Sequence, residues 1–172
     1  MNDPLRARLG VDVRELTGTT LSGEIPLTAA LINRFIADWL ARDGRAGKLA
    51  AVVVEPLDQD RLSVNVRLRS NLLPPLRLEL QIAAQPQLPA SPVLVLRWSL
   101  AGGLGPLARL ASPALAVFDV LPPAVRVDGE LIGIDLNELL RAQKAEWVLA
   151  YVRTLHVRTE TGRLVIQLSA AV

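Results

Sequence analysis

His156 is the sole histidine of this chain, and cysteine is absent. Those two facts set what chemistry the side chains can do. No Cys/His metal cluster can form, and neither disulfides nor thiolate nucleophiles are available. A serine triad would have to use His156, and no G-x-S-x-G elbow presents a serine to it. The residue falls in an alternating run, Tyr151 to Thr159, in phase with Val152, Thr154 and Arg158 and opposite Leu155 and Val157. That phase puts it on a polar sheet face, as a solvated side chain.

The paired carboxylates are equally plain. Asp58 and Asp60 flank Gln59 in a turn, Asp128 and Glu130 share one strand face, and Asp135 and Glu138 open a helix. Turn chemistry, solvation and helix capping account for all three pairs. Two-carboxylate hydrolysis is the enzymatic alternative. Gly102-Gly103-x-Gly105 follows a strand, but it lacks both the Lys-Ser/Thr of a phosphate loop and the spacing of a dinucleotide fingerprint. It reads as a strand–helix connector or as a mobile apolar lip. No catalytic residue, metal site or cofactor is expected, and an enzyme is not the favoured reading.

The elements that would position any site are clearer than the site. From Leu62 the chain reads Leu62, Val64, Val66, Leu68 on one side and Ser63, Asn65, Arg67, Arg69 on the other. Leu76, Leu78, Leu80 and Ile82 alternate with Arg77, Glu79 and Gln81 in the same way. A period of two gathers every aliphatic side chain onto one sheet face. Leu27, Leu31, Ile32, Phe35, Ile36, Trp39 and Leu40 recur at helical spacing, with Thr28 as the cap and Asn33, Arg34, Asp38 and Arg42 mostly away from the stripe.

Around these lie further expected elements. Leu5–Leu9 is a short helical turn and Val11–Leu16 a strand. Thr19–Pro26 is extended, with a bulge at Gly23. Lys48–Glu55 is a strand that pairs with Arg61–Ser70. Val93–Leu100 is apolar on both faces. Pro106 to about Phe118 is a short helix, Val125–Ile134 a single strand bent at Gly129 and Gly133, and Asp135 or Asn137 caps a third helix to about Val148. A hairpin closes the chain about Glu160-Thr161-Gly162. The predicted fold is α+β: a strongly twisted antiparallel sheet with a long amphipathic helix on its apolar face and two shorter helices. It forms one domain over 1–172, with 1–18 as a peripheral segment.

Composition bounds the partners. Half the residues are apolar, mainly Leu, Val and Ala, and aromatics make up only 3%. Flexible aliphatics suit acyl chains better than flat rings; a genome rich in Leu, Val, Ala and Arg codons gives the same composition. The net charge is +2, and the arginines are dispersed without an aromatic stacking platform, so nucleic acid is not a partner. Attraction to anionic headgroups remains as a weak peripheral membrane contact, at roughly 1 kcal/mol per basic residue near the surface. Met1–Arg6 has no apolar signal core, and no apolar run approaches the roughly 20 residues of a span. The expected location is cytoplasmic, or periplasmic or membrane-associated if the sequence belongs to a longer chain.

Two stretches resemble a known family. Gly23-Glu24-Ile25-Pro26-Leu27-Thr28-x-x-x-Ile32-Asn33-x-x-Ile36 is similar to the opening of bacterial TULIP-type (tubular lipid-binding) domains, a short strand and then a helix with an early Asn. Asp128-Gly129-Glu130-Leu131-Ile132-Gly133-Ile134-Asp135-Leu136-x-Glu138-Leu139-Leu140 looks like their closing half, followed by a hairpin such as Val157-Arg158-Thr159-x-x-Gly162-Arg163-Leu164. The resemblance covers roughly residues 19–170. It implies a curved sheet wrapped around a long helix, with an apolar groove that holds lipid without catalysis.

The leading expectation is therefore a non-enzymatic binder or carrier of lipid or another hydrophobic ligand. Its groove would be lined by Leu31, Phe35, Trp39, Val64, Val66, Leu78, Leu80, Leu96 and Trp98. The three tryptophans, Trp39, Trp98 and Trp147, are either core anchors or amphipathic rings at the groove mouth. The alternative is an interaction or scaffold module that self-associates, most simply as a homodimer, through Val93–Leu100 and the face of the second helix.

Overall fold

The computed structural model describes residues 18–42, 49–69, 75–100 and 121–171. The expected turn Leu5–Leu9, strand Val11–Leu16, glycine segment Gly102–Gly105 and helix Pro106–Phe118 lie outside them.

Nine strands form two antiparallel sheets among the described residues. β1 (Thr20–Thr28) leads into helix α1 (Ala29–Arg42), and β2 (Leu49–Leu57), β3 (Arg61–Leu68), β4 (Leu76–Ala84) and β5 (Val93–Leu100) follow as a meander. β6 (Val125–Asp128) and β7 (Leu131–Asp135) make a tight hairpin. After α2 (Leu136–Ala142) and a 3₁₀ turn (Glu146–Ala150), β8 (Val152–Glu160) and β9 (Arg163–Ala171) close the chain. The larger sheet has the order β2-β3-β4-β5-β7-β6 and the smaller β1-β9-β8.

This corrects the expected fold class. The protein is mainly antiparallel β-structure in two sheets, not one sheet wrapped around a long helix. α1 has 14 residues, about 21 Å of helix, and none of them is fully buried. It lies against β2, the edge strand of the large sheet, and does not cross the sheet's apolar face. The physical reason is Asn33. It sits on the side of α1 that meets the sheet, not away from it, and its carboxamide bonds the backbone of Val54. A side chain that seeks main-chain partners anchors the helix beside a strand edge, where such partners are free.

Several local expectations stand. Thr28 Oγ1 accepts from the Leu31 amide at 3.3 Å, capping α1. Asp135 accepts from the amides of Asn137 and Glu138, capping α2. The β8–β9 hairpin turns at Thr161-Gly162, where Gly162 takes φ +78°. Others differ. β1 pairs with β9 in unbroken register through Gly23, so there is no bulge there. Val125–Ile134 is not one bent strand but the β6–β7 hairpin, reversed at Gly129 with φ +57°. The third helix ends at Ala142, and the chain reaches Trp147 through the 3₁₀ turn instead.

The core is built from the large sheet's apolar face. Leu49, Val64, Val66 and Leu78 form one buried cluster. Leu62, Leu94, Leu96, Ile132 and Val157 form a second, in which Val157 comes from the small sheet. The two sheets therefore meet apolar face to apolar face at β8.

Candidate functional site

Strand register assembles the large sheet's inner face row by row. Val52, Val66 and Leu76 lie side by side; so do Val54, Val64, Leu78 and Leu100. Next come Pro56, Leu62, Leu80 and Trp98. Ile82, Leu96, Ile132 and Val127 follow, and then Leu94, Ile134 and Val125. Every position in these five rows is apolar, as period-two alternation requires. The opposite face carries rows such as Glu55, Ser63, Glu79 and Ser99, with Arg67, Arg77 and Arg97 nearby. There Ser63 is 0% exposed and accepts from Arg77 Nε at 3.3 Å.

Among the described residues the inner face is covered unevenly. Leu155, Val157 and Leu164 of the β8–β9 hairpin pack on the rows around Leu62, Leu96 and Ile132. Leu40 of α1 packs on the rows near β2. Leu68, Leu76, Leu80, Trp98 and Leu100 are only half-buried, whereas Val64, Val66 and Leu78 beside them are buried. Trp98 stands at the junction of both clusters, and its indole Nε1 donates to Gly129 O at 3.0 Å, tying β5 to the β6–β7 turn.

The structure brings six of the nine candidate lining residues onto this face. Val64, Val66, Leu78 and Leu96 are buried in it, and Leu80 and Trp98 are half-buried on it. The three helical candidates do not join them as a set. Leu31 and Trp39 are half-buried on α1, and Phe35 is 61% exposed. β5, the doubly apolar strand, is an interior strand paired to β4 and β7, with Val93 and Val95 half-buried on the outer side.

A polar seam holds the small sheet in place, and periodicity carries little sign of it. Asn33 Nδ2 donates to Val54 O at 2.9 Å, and Val54 N donates to Asn33 Oδ1 at 2.7 Å. Gln85 repeats the device on β8: its Nε2 donates to Val157 O at 2.7 Å, and Val157 N donates to its Oε1 at 2.8 Å. Each carboxamide stands in for the peptide of a missing neighbouring strand. Asp60 accepts from Thr159 N at 3.2 Å, and Asp58 accepts from the amide and hydroxyl of Thr161, both at 2.8 Å. The Thr161 hydroxyl and amide hold the Asp58 carboxyl below the usual carboxylate range. Arg163 does the same for Glu160, with help from Arg158. The β2–β3 turn acids are thus structural ligands of the β8–β9 turn. Two amides beside hydrophobic runs were the available signal.

His156 lies exposed on the outer face of the small sheet. It borders an open depression of about 400 Å³ with Ser22, Glu24, Thr154, Gln167 and Ser169. Two pairs of polar groups there bond each other: Gln167 donates to Glu24 at 2.6 Å, and the Thr154 and Ser169 hydroxyls are 2.6 Å apart. Among the described residues no group of three or more His, Asp or Glu side chains is placed to hold a metal ion. No described helix is long and apolar enough to cross a membrane. Trp147 meets Tyr151 edge to face at 6.4 Å.

Comparison with protein-family models, with curated proteins and with solved structures returned no match.

Proposed function

We propose that the chain binds an acyl chain or similar aliphatic ligand along the inner face of the large sheet, without catalysis. One observation carries this reading: five adjacent rows of purely apolar side chains span six strands, and Leu76, Leu80, Trp98 and Leu100 on them are only half-covered by described residues. A flexible hydrocarbon laid along Leu76, Leu80, Trp98 and Leu100 leaves water at about 0.8 kcal/mol per buried methylene. A handful of methylenes offsets much of the cost of association. The resemblance to TULIP-type domains implies the same ligand class, although the sheet-wrapped helix that it also implies is not the fold observed. In the structure both resembling stretches are strands that run straight into helices, β1 into α1 and β7 into α2.

The test is organic extraction and native mass spectrometry of the purified chain, followed by titration with a fatty acid brominated along its tail. The expected results are co-purified lipid and saturable quenching of tryptophan fluorescence, with most of the quench lost in Trp98→Phe. A chain that releases no lipid and shows no saturable quenching overturns the reading.

A further inference from the structure

Among the described residues the two sheets have four edge strands, and three of them are guarded. β2 carries the Asn33 carboxamide at Val54, and β8 carries the Gln85 carboxamide at Val157. β6 has only four residues, and a short edge offers little to pair with. β1 is different. It is nine residues long, all but Leu27 are exposed, and its outer edge has no partner among the described residues.

The phase of β1 can be read from its last bond. Ala29 N donates to Gly162 O at 2.9 Å, continuing the ladder with β9. Odd-numbered residues therefore bond inward to β9, and the peptide groups of Thr20, Ser22, Glu24 and Pro26 face out. Pro26, which has no N–H, falls on the outward set, the one place a sheet tolerates it.

We infer that β1 pairs antiparallel with β1 of a second copy of this chain, about a two-fold axis through Gly23. Outward phase allows a few registers, and side-chain chemistry selects one of them. An axis at Glu24 sets two carboxylates against each other, a repulsive pair. An axis at Ser22 sets Leu21 against Gly23, with nothing to pack. The axis at Gly23 sets Ser22 against the partner's Glu24 and Leu21 against the partner's Ile25. Leu21 and Ile25 are 55% and 46% exposed and share the apolar side of the small sheet. In this register they form close, non-hydrogen-bonded cross-strand pairs on both sides of the axis. Ser22 and Glu24 exchange main-chain bonds, and Thr20 N reaches the partner's Pro26 O, about six bonds in all. The dimer is a continuous sheet with the order β8-β9-β1 met by its copy. So small an interface predicts micromolar association.

The register is testable by a single cysteine, because the chain has none. A Cβ at Gly23 meets nothing within 4 Å. Across the axis the two Cα atoms would stand about 4.5 Å apart, inside the range a disulfide spans. Gly23→Cys should oxidise to a covalent dimer far faster than Glu79→Cys, placed on the exposed outer face of the large sheet. Light scattering on the unaltered chain should show mass rising from 18.6 kDa toward twice that value across the micromolar range. Ser22→Pro removes an outward N–H that β9 does not use, so it should leave the fold intact and weaken the dimer at least tenfold. A chain that stays monomeric at high micromolar concentration overturns the inference. So does a dimer in which Gly23→Cys cross-links no faster than the control, or which Ser22→Pro leaves unchanged.

Discussion

Replacing Asn33 by alanine should cost about 2–3 kcal/mol of stability, although the residue sits on a helix that buries no side chain fully. The carboxamide makes two bonds to one residue, at 2.9 and 2.7 Å, with both ends in a half-buried setting. Each is worth about 1 kcal/mol net, and truncation also strands the Val54 N–H and C=O, which water reaches only in part. For a chain of this size that loss lowers Tm by about 4–12 °C. Asn33→Asp sharpens the test. One carboxylate oxygen still accepts from Val54 N, but the other faces Val54 O, where a donor is needed. At neutral pH it should cost at least as much as alanine, and acidification that protonates it should recover part of the loss relative to Asn33→Ala. The assay is urea unfolding read as a shift in midpoint at constant slope, paired with hydrogen exchange at the Val54 amide. An Asn33→Ala chain within about 0.5 kcal/mol of the parent, or with full protection at Val54, would refute the reasoning.

Gln85→Ala should cost about as much, through the same two-bond loss at Val157, and its effect should show as faster exchange in β8 but not in β2. Among the described residues Thr159 Oγ1 is buried without a hydrogen-bond partner. Thr159→Val keeps the branched shape and removes the orphan hydroxyl, so thermal melting should show a gain of about 1 kcal/mol; a loss would mean that the hydroxyl has a partner in solution. Asp58 and Glu160 both have folded carboxyls held below their unfolded value of about 4. Their contribution is complete above that value and is lost as pH falls through the lower folded values. Urea midpoints should hold steady through the neutral range and fall below about pH 4, less steeply in Asp58→Asn; a decline starting near neutrality would count against the assignment.

The large sheet was legible because most of its rows obey a period of two, broken only by register shifts at Leu49/Ala51 and Ile82/Ala84 among the described residues. Leu62 to Leu68 and Leu76 to Ile82 fall on one face as the alternation dictates. The β6–β7 hairpin was also written in the chain, as Asp128-Gly129, a turn-forming pair; aliphatics on both sides made it read as one strand. The placement of α1 was not legible. Its apolar stripe is compatible with lying across a sheet, and only the bonds of Asn33 to Val54 show that it lies along an edge instead. The same stripe overstated the helix as a lining element, because Phe35 faces solvent while Leu40 packs on the core. Gln85 was hidden for a different reason: its partner, Val157, is distant in the chain, and periodicity carries no record of long-range polar contacts.

Pairing Thr20 with Ala171 ties together residues from nearly opposite ends of the described chain. Synthesis therefore delivers β1 long before β9 exists, while the meander from β2 to β5 can zip up from neighbours as it emerges. The small sheet is the last piece that can be completed, since long-range strand pairing pays its loop-closure cost before any reward. During that interval β1 is a greasy nine-residue ribbon with both margins bare. Nascent chains crowded on one messenger can then meet β1 to β1 before β9 arrives to claim the inner margin.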